Sequence, residues 1–277
     1  MTACLFASDL HGQEERYRKL FERIRAERPA VVLMAGDLLP LGEAGFVGRV
    51  LAAGCRELRR GLAAAYPSLM LIPGNDDPRS CESALEEGER EGLWHYLHGR
   101  SLQVGEHRFY GYACVPPTPF LLKDWERYDV SRQLEPGCVS PEEGWRSVPG
   151  NHQDAAAATI RDDLERLAGE DETGRAIFLF HAPPYGGLLD LADLAGRKVE
   201  HAPLDPHVGS IAVRRFIEAR QPLVTLHGHV HESSRLSGAW RERLGQTHCF
   251  SAAWDGPELA LVRFTLEEPQ EAERLLV

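Results

Sequence analysis

The chain has 277 residues, 43% of them hydrophobic and 26% charged, an ordinary globular composition that excludes disorder, collagen and coiled coil. At this length one domain can bury a large core without disulfide or metal staples. The 31 basic and 42 acidic side chains leave a formal charge of −11, so the surface repels nucleic acid and anionic membranes at long range, while one phosphate in a local pocket stays compatible with it.

The first third alternates strand and helix. Ala3 to Ser8 is an apolar run that stops at a polar turn, and Glu14 to Glu27 carries Tyr17, Leu20, Phe21 and Ile24 at helical spacing. Ala30 to Ala35 reads as a buried strand, Phe46 to Tyr66 as a helix, and Leu69 to Ile72 as a third strand before Pro73-Gly74. Continuous apolar strands separated by amphipathic helices predict a parallel sheet of βαβ units. The acidic run Glu82 to Glu91 reads as a solvated helix face.

The rhythm then changes. Arg100 to Val104 and Phe109 to Cys114, joined by Gly105-Glu-His-Arg, read as a hairpin. Residues 115–152 are proline-rich and without periodicity, the signature of a functional loop inserted in a compact domain. Asp154 is placed to cap a helix running to Ala168 and closed by Gly169. Strand Ala176 to Phe180, helix Gly209 to Arg220, strand Leu223 to His227, and short strands near Cys249 and Leu259 to Thr265 complete one domain, 1–277.

No stretch reaches the ~18 apolar residues that span a bilayer, and Met1 to Asp9 lacks the basic start of a signal peptide. The six cysteines, at 4, 55, 81, 114, 138 and 249, show no CxxC pair, which points to reduced thiols and a cytoplasmic setting.

Each predicted strand runs into a group able to hold a metal: Asp9-Leu-His11, Gly36-Asp37, Gly74-Asn75-Asp76-Asp77, His181, and Gly228-His229-Val-His231. Ligands in α/β sheets bind beyond the carboxyl ends of the strands, so these groups are expected to converge. Residues two apart in extended chain face the same way, which would pair Asp9 with His11 and His229 with His231. Gly36, Gly74 and Gly228 would let backbone turn or approach closely. Mixed imidazole and oxygen donors suit Mn, Fe, Zn or Co better than Ca or Mg.

Asp-x-His, Gly-Asp, Gly-Asn, His and Gly-His-x-His, in this order over residues 9 to 231, resemble the calcineurin-like metallophosphoesterases. His181-Ala-Pro-Pro-Tyr-Gly, His207-Val-Gly-Ser and His227-Gly-His-Val-His-Glu are similar to a prokaryotic predicted-phosphoesterase branch. The resemblance implies an α/β fold, a β-sandwich flanked by helices with the site at the strand ends. It also implies two divalent ions bridged by Asp37, with Asp9, His11 and His231 on one and Asn75, His181 and His229 on the other. Mn2+ or Fe are the first expectation for these ions, Zn2+ or Co2+ the second. The implied reaction is hydrolysis of a small phosphodiester or phosphomonoester, by direct attack of a metal-bridging hydroxide.

One position departs from that pattern. Many members carry histidine after Gly-Asn, where this chain has Asp76. With an ordinary pKa of ~3.9 it would be ionised at neutral pH and unable to donate a proton, unless burial or neighbouring carboxylates raised it. Either the leaving group is good, as in an aryl or nucleotide phosphate, or another residue donates; His207, His152 and His227 are the candidates by chemistry. His227, within a strand, also reads as a core histidine. His95, His98, His107, His201 and His248 carry no pattern and are expected at the surface. Trp125, Tyr128 and Trp145, in the insertion, read either as local packing or as part of a lid that selects the leaving group.

Three other functions compete. A nuclease needs a basic track, which is missing. A lipid-linked nucleotide-sugar pyrophosphatase needs a basic amphipathic helix, and Glu14 to Arg28 mixes arginines with four glutamates. A non-catalytic metal-binding scaffold is the third. The expected partner is therefore a small phosphate ester, with neither nucleic acid nor membrane.

Overall fold

The computed structural model describes residues 1–41, 43, 45–149, 158–199 and 201–277. Its first layer holds helix α1 (Glu14–Glu27), α2 (Ala53–Leu62) and α3 (Glu82–Arg90). They cover strands β1 (Ala3–Ala7), β2 (Val31–Ala35), β3 (Ser68–Ile72) and β4 (His95–Tyr96), all parallel. The second sheet begins with a hairpin, β5 (Arg100–Val104) and β6 (His107–Tyr112), followed by α4 (Ile160–Ala168) and β7 (Ile177–Phe180). A small ribbon, β8 (Lys198–Val199) and β9 (Ala202–Pro203), precedes α5 (Ile211–Arg220), β10 (Val224–His227) and the short α6 (Ser233–Ser237). The chain ends with β11 (Arg241–Leu244), β12 (Thr247–Ser251), β13 (Ala260–Thr265) and β14 (Glu273–Leu276).

The strand orders are β14-β13-β1-β2-β3-β4 and β11-β12-β10-β7-β6-β5. The parallel strands expected of the opening βαβ units and the expected hairpin are both present within a two-sheet sandwich; β13 and β14 add antiparallel strands beside β1, and β11 an antiparallel edge beside β12. Alternation along the strands explains the sandwich. Cys4, Phe6, Val31, Leu33, Met70 and Ile72 bury one face in a core shared with β6, β7, β10 and β12. Leu5, Ala7, Val32, Met34, Leu69 and Leu71 bury the other against Tyr17, Leu20, Ile24, Leu58 and Leu85 of the helices. Strands buried on both faces have no polar alternation, which is why they read as continuous apolar runs.

Several boundaries move. The run Phe46–Tyr66 is a π-helical turn, Val47–Ala52, then α2, then a 3-10 turn at Ala63–Ala65; Gly48, Gly54 and Gly61 weaken one continuous helix. The hairpin turns over two residues, Gly105-Glu106, with Gly105 left-handed and Val104 opposite His107. Helix α4 starts at Ile160 with Thr159 accepting the Asp162 amide; Asp154 and His152 lie outside the described residues. Ser210 caps α5 by accepting the Val213 amide.

The insertion packs against the body. Trp125 and Tyr128 are buried, while Trp145 is half exposed. Isolated bridges join Val115 to Glu126 and Leu122 to Trp145. Lys123 and Glu126 form a fully buried ion pair to which Thr118 adds its carbonyl, amide and hydroxyl. His98 is not a surface residue: its ring meets Trp125 edge-on at 4.8 Å and accepts the Ala113 amide at Nδ1.

Candidate metal centre

The loops after β1 and β2 zip together. The amides of Asp9, His11 and Gly12 donate to the carbonyls of Gly36, Asp37 and Leu38. Buried Arg16 holds the first loop from beneath, donating to the carbonyls of Asp9 and Gly256. Across the sandwich, Gly228 donates its amide to the His181 carbonyl and the His229 amide donates to Asp9 Oδ1 at 2.9 Å. Loops from both sheets thus meet at one edge of the molecule.

The ligand pairs converge for a reason other than extended spacing. Asp9, His11, Asp37 and His229 have φ of 56, 46, 51 and 73°, four of only seven described non-glycine residues in left-handed backbone. Such geometry costs on the order of 1–3 kcal/mol per residue and gathers at functional sites. Tight left-handed turns bring Asp9 and His11 onto the same side. The glycine expectation holds: Gly36 has φ 91°, and a Cβ on Gly74 would lie 2.3 Å from Asp37 Oδ1 and 2.7 Å from His181 Nε2. A Cβ on Gly228 would lie 2.6 Å from Asp9 Oδ2.

Donor atoms of Asp9, His11, Asp37 and His231 form one group and those of Asp37, His181 and His229 a second, each with its atoms within 4.8 Å of one another. Asp37 belongs to both. Asn75 joins the second group, its Oδ1 3.0 Å from His181 Nε2, because Asn75 Nδ2 donates to Asp76 Oδ1 and turns its oxygen inward. The seven expected positions are therefore together.

The chemistry of these donors fits a cation. His181 donates Nδ1–H to the Ala35 carbonyl at 2.8 Å, so its Nε2 faces Asn75 Oδ1 and Asp37 Oδ2, 3.0 and 3.2 Å away, with no donor between them. Without a metal only protonation relieves that crowding. Burial opposes the charge, but Asp37 outweighs it and lifts His181 to about 10. A divalent ion would satisfy the same oxygens and leave the ring neutral. His11 Nε2 and His231 Nε2 also approach to 3.0 Å, a separation that an N–H···N hydrogen bond or a shared ion would satisfy. Burial resists ionisation of Asp9 and Asp37, yet the His231 hydrogen bond on Asp9 and the His181 charge on Asp37 hold both below the usual carboxylate range. Burial, then the His181 charge, pushes His229 down to about 3, keeping it a neutral ligand. Ser8 Oγ donates to Asp9 Oδ2 and orients the carboxylate.

Of the described residues considered for proton transfer, only Asp76 borders this cluster. Its amide donates to Asp37 Oδ1 and its Oδ2 lies 3.7 Å from His11 Nδ1. Burial and then Asp37 raise its pKa. His207 is turned elsewhere, giving Nδ1–H to buried Asp190 at 2.8 Å. Its ring meets Tyr185 edge-on at 5.9 Å, and it shares no hydrogen bond with the seven ligands among the described residues. His227 is a core histidine, donating to the Ala182 carbonyl, accepting from Thr225 Oγ1, and lowered to about 4 by burial.

Asp77 is a residue whose part the sequence did not reveal. Its buried carboxylate accepts the amides of Leu38, Leu39 and Gly74 at 2.7–3.0 Å, locking the Asp37 and Asn75 loops together. Its place two residues after Asn75 was the only signal.

A sequence profile described as calcineurin-like phosphoesterase matches residues 3–233. The chain belongs to that family. The family hydrolyses phosphoesters and uses divalent metal ions, for which this cluster is the candidate site. Among solved structures, the TT1561 protein of Thermus thermophilus superposes with a TM-score of 0.58 at 17% identity, covering 99% of this chain and 98% of the other. A further solved structure reaches 0.61 at 16% identity, with 99% and 98% coverage. Both likenesses show the two-sheet fold. No curated protein matches the chain. No described helix of this calcineurin-like protein is long and apolar enough to cross a membrane.

Proposed function

We propose that this chain hydrolyses a small phosphodiester or phosphomonoester with two divalent ions held between Asp9, His11, Asp37 and His231 on one side and Asp37, Asn75, His181 and His229 on the other. The observation that carries this reading is the overlap of the two donor groups at one carboxylate, Asp37. Ions bound in such a pair act as Lewis acids and activate a water for in-line displacement at phosphorus.

The residues divide the remaining work. Ala35 fixes the His181 tautomer, Ser8 orients Asp9, and Asp77 sets the spacing between the Asp37 and Asn75 loops. Asp76, its Oδ2 3.7 Å from His11 Nδ1, is the side chain we assign to meet a leaving group entering beside His11. Burial and Asp37 favour its protonated form, whereas bound cations would favour the carboxylate. That opposition favours substrates with good leaving groups, such as aryl or nucleotide esters. Mn2+ is the first ion to try.

The test is hydrolysis of bis-p-nitrophenyl phosphate and p-nitrophenyl phosphate with Mn2+, using His229→Ala as control. Diester turnover lost in the variant supports a phosphodiesterase, and monoester turnover alone supports a phosphatase. Silence on both esters together with no bound metal by elemental analysis would overturn the reading.

A further inference from the structure

A second cavity lies under the insertion, with a volume of about 440 Å3. That is within the usual ~300–1,000 Å3 of a small-molecule site. Pro117, Pro136 and Leu204 make its walls, and none of the seven metal ligands lines it. Tyr185, on its wall, lies four residues beyond His181 in the loop after β7. The cavity is therefore connected through the loop after β7 to the metal cluster but lined separately from it.

Its polar groups share one character. His207 lines it with a ring fixed by Asp190, whose buried carboxylate also accepts the amides of Gly186, Gly187 and Gly209. His207 gives Nδ1–H to Asp190, and its Nε2 has no hydrogen-bond partner among the described residues. Glu135, Asp205 and Asp129 add carboxylates to the lining, Asp129 already accepting Ser210 Oγ and the Ile211 and Ala212 amides, and no Lys or Arg is found there among the described residues. Asp205 accepts the Tyr185 hydroxyl and the His207 amide, neither of which neutralises it. Glu135 has no ion-pair partner among the described residues. An anion would meet uncompensated carboxylates here, whereas a cation with an apolar body and N–H donors matches the charged groups and the proline and leucine walls.

We propose that this cavity binds a small organic ammonium ion, its N–H groups donating to His207 Nε2 and its charge facing Glu135 and Asp205. The site is independent of the phosphoester reading, so failure of either leaves the other standing.

The wild-type chain loaded with Mn2+ would be titrated calorimetrically with benzylammonium, benzyl alcohol and benzoate. Saturable binding of benzylammonium, at least tenfold tighter than the other two, is expected, with a tenfold loss in the Glu135→Gln/Asp205→Asn variant. A readout that needs no variant comes from Cys138, which lines the cavity and is the one cysteine of six that is not buried. Benzylammonium should slow its labelling by a thiol reagent over the same concentration range, and inorganic phosphate should not. Benzyl alcohol binding as tightly as the cation, or labelling unaffected by the cation, would overturn the proposal.

Discussion

Trp125 donates its indole N–H to the backbone carbonyl of Asp77 at 2.7 Å. The insertion is thereby bonded to the residue that clamps the two metal loops, and Asp124 strengthens the join by accepting the Arg79 amide. Trp125→Phe keeps an aromatic ring but deletes the bond and part of the buried indole. It should lower stability by about 1 kcal/mol for the bond, with a further cost for the vacated volume, and weaken metal binding although no ligand is touched. Denaturant midpoints and metal titration, read side by side, check both parts.

Asp77→Asn replaces a carboxylate that accepts three amides with a group that carries its own donors. Partners one shell behind metal ligands typically change affinity by about 10–100-fold when lost. The expected result is a loss in that range by competition with a chelator, and unchanged affinity would contradict the clamp.

Gly74→Ala puts a methyl against the Asp37 and His181 side chains and, at 2.4 Å, against the Asp37 backbone nitrogen, so the two metal-site loops must part although Gly74 itself is not left-handed. The fold should persist by circular dichroism while metal content by elemental analysis falls. Full occupancy in this variant would mean the two ligands can move apart freely.

Lys123→Met leaves Glu126 as an unpaired buried charge. Breaking one partner of such a pair costs about 3–5 kcal/mol, whereas replacing both with apolar residues is often neutral. Lys123→Met/Glu126→Leu should accordingly recover much of the loss in urea unfolding.

His98 is held at about 3 by burial and by the charges of Arg79, Arg127 and Arg100, and its Nδ1 is already occupied by the Ala113 amide. Its folded pKa is depressed, so above pH ~6.5 it is neutral in both states and costs nothing. As pH falls from ~6.5 toward 3, the unfolded chain takes up a proton that the folded chain refuses, and stability declines. The difference between wild type and His98→Gln should therefore change between pH 7.5 and 5, read from unfolding midpoints.

Much of the site was legible because its residues sit where apolar runs stop. Strand ends are marked by the loss of hydrophobicity, and Asp9, Asp37, Asn75, His181 and His229 all follow such ends. The means of convergence was not legible, since aspartate and histidine are merely enriched in left-handed backbone and residue type alone does not mark which of them adopt it. The Lys123–Glu126 pair and the Asp190–His207 pair were equally hidden. Burial of a charged residue depends on what the loop folds against, and neither pair has a periodic pattern around it. The extra edge strands β11 and β14 are hidden for another reason: half-exposed strands rich in Arg and Glu do not stand out as apolar runs.

The left-handed turns at Asp9, His11, Asp37 and His229 have a consequence for the energy landscape of the whole chain. Glycine would occupy each of these positions with less steric resistance. Replacing one with glycine is thus expected to relieve backbone strain in the fold while removing a ligand. Selection for folding alone would drift toward glycine here, so the aspartates and histidines mark the places where the candidate metal site sets a ceiling on how stable this scaffold can become.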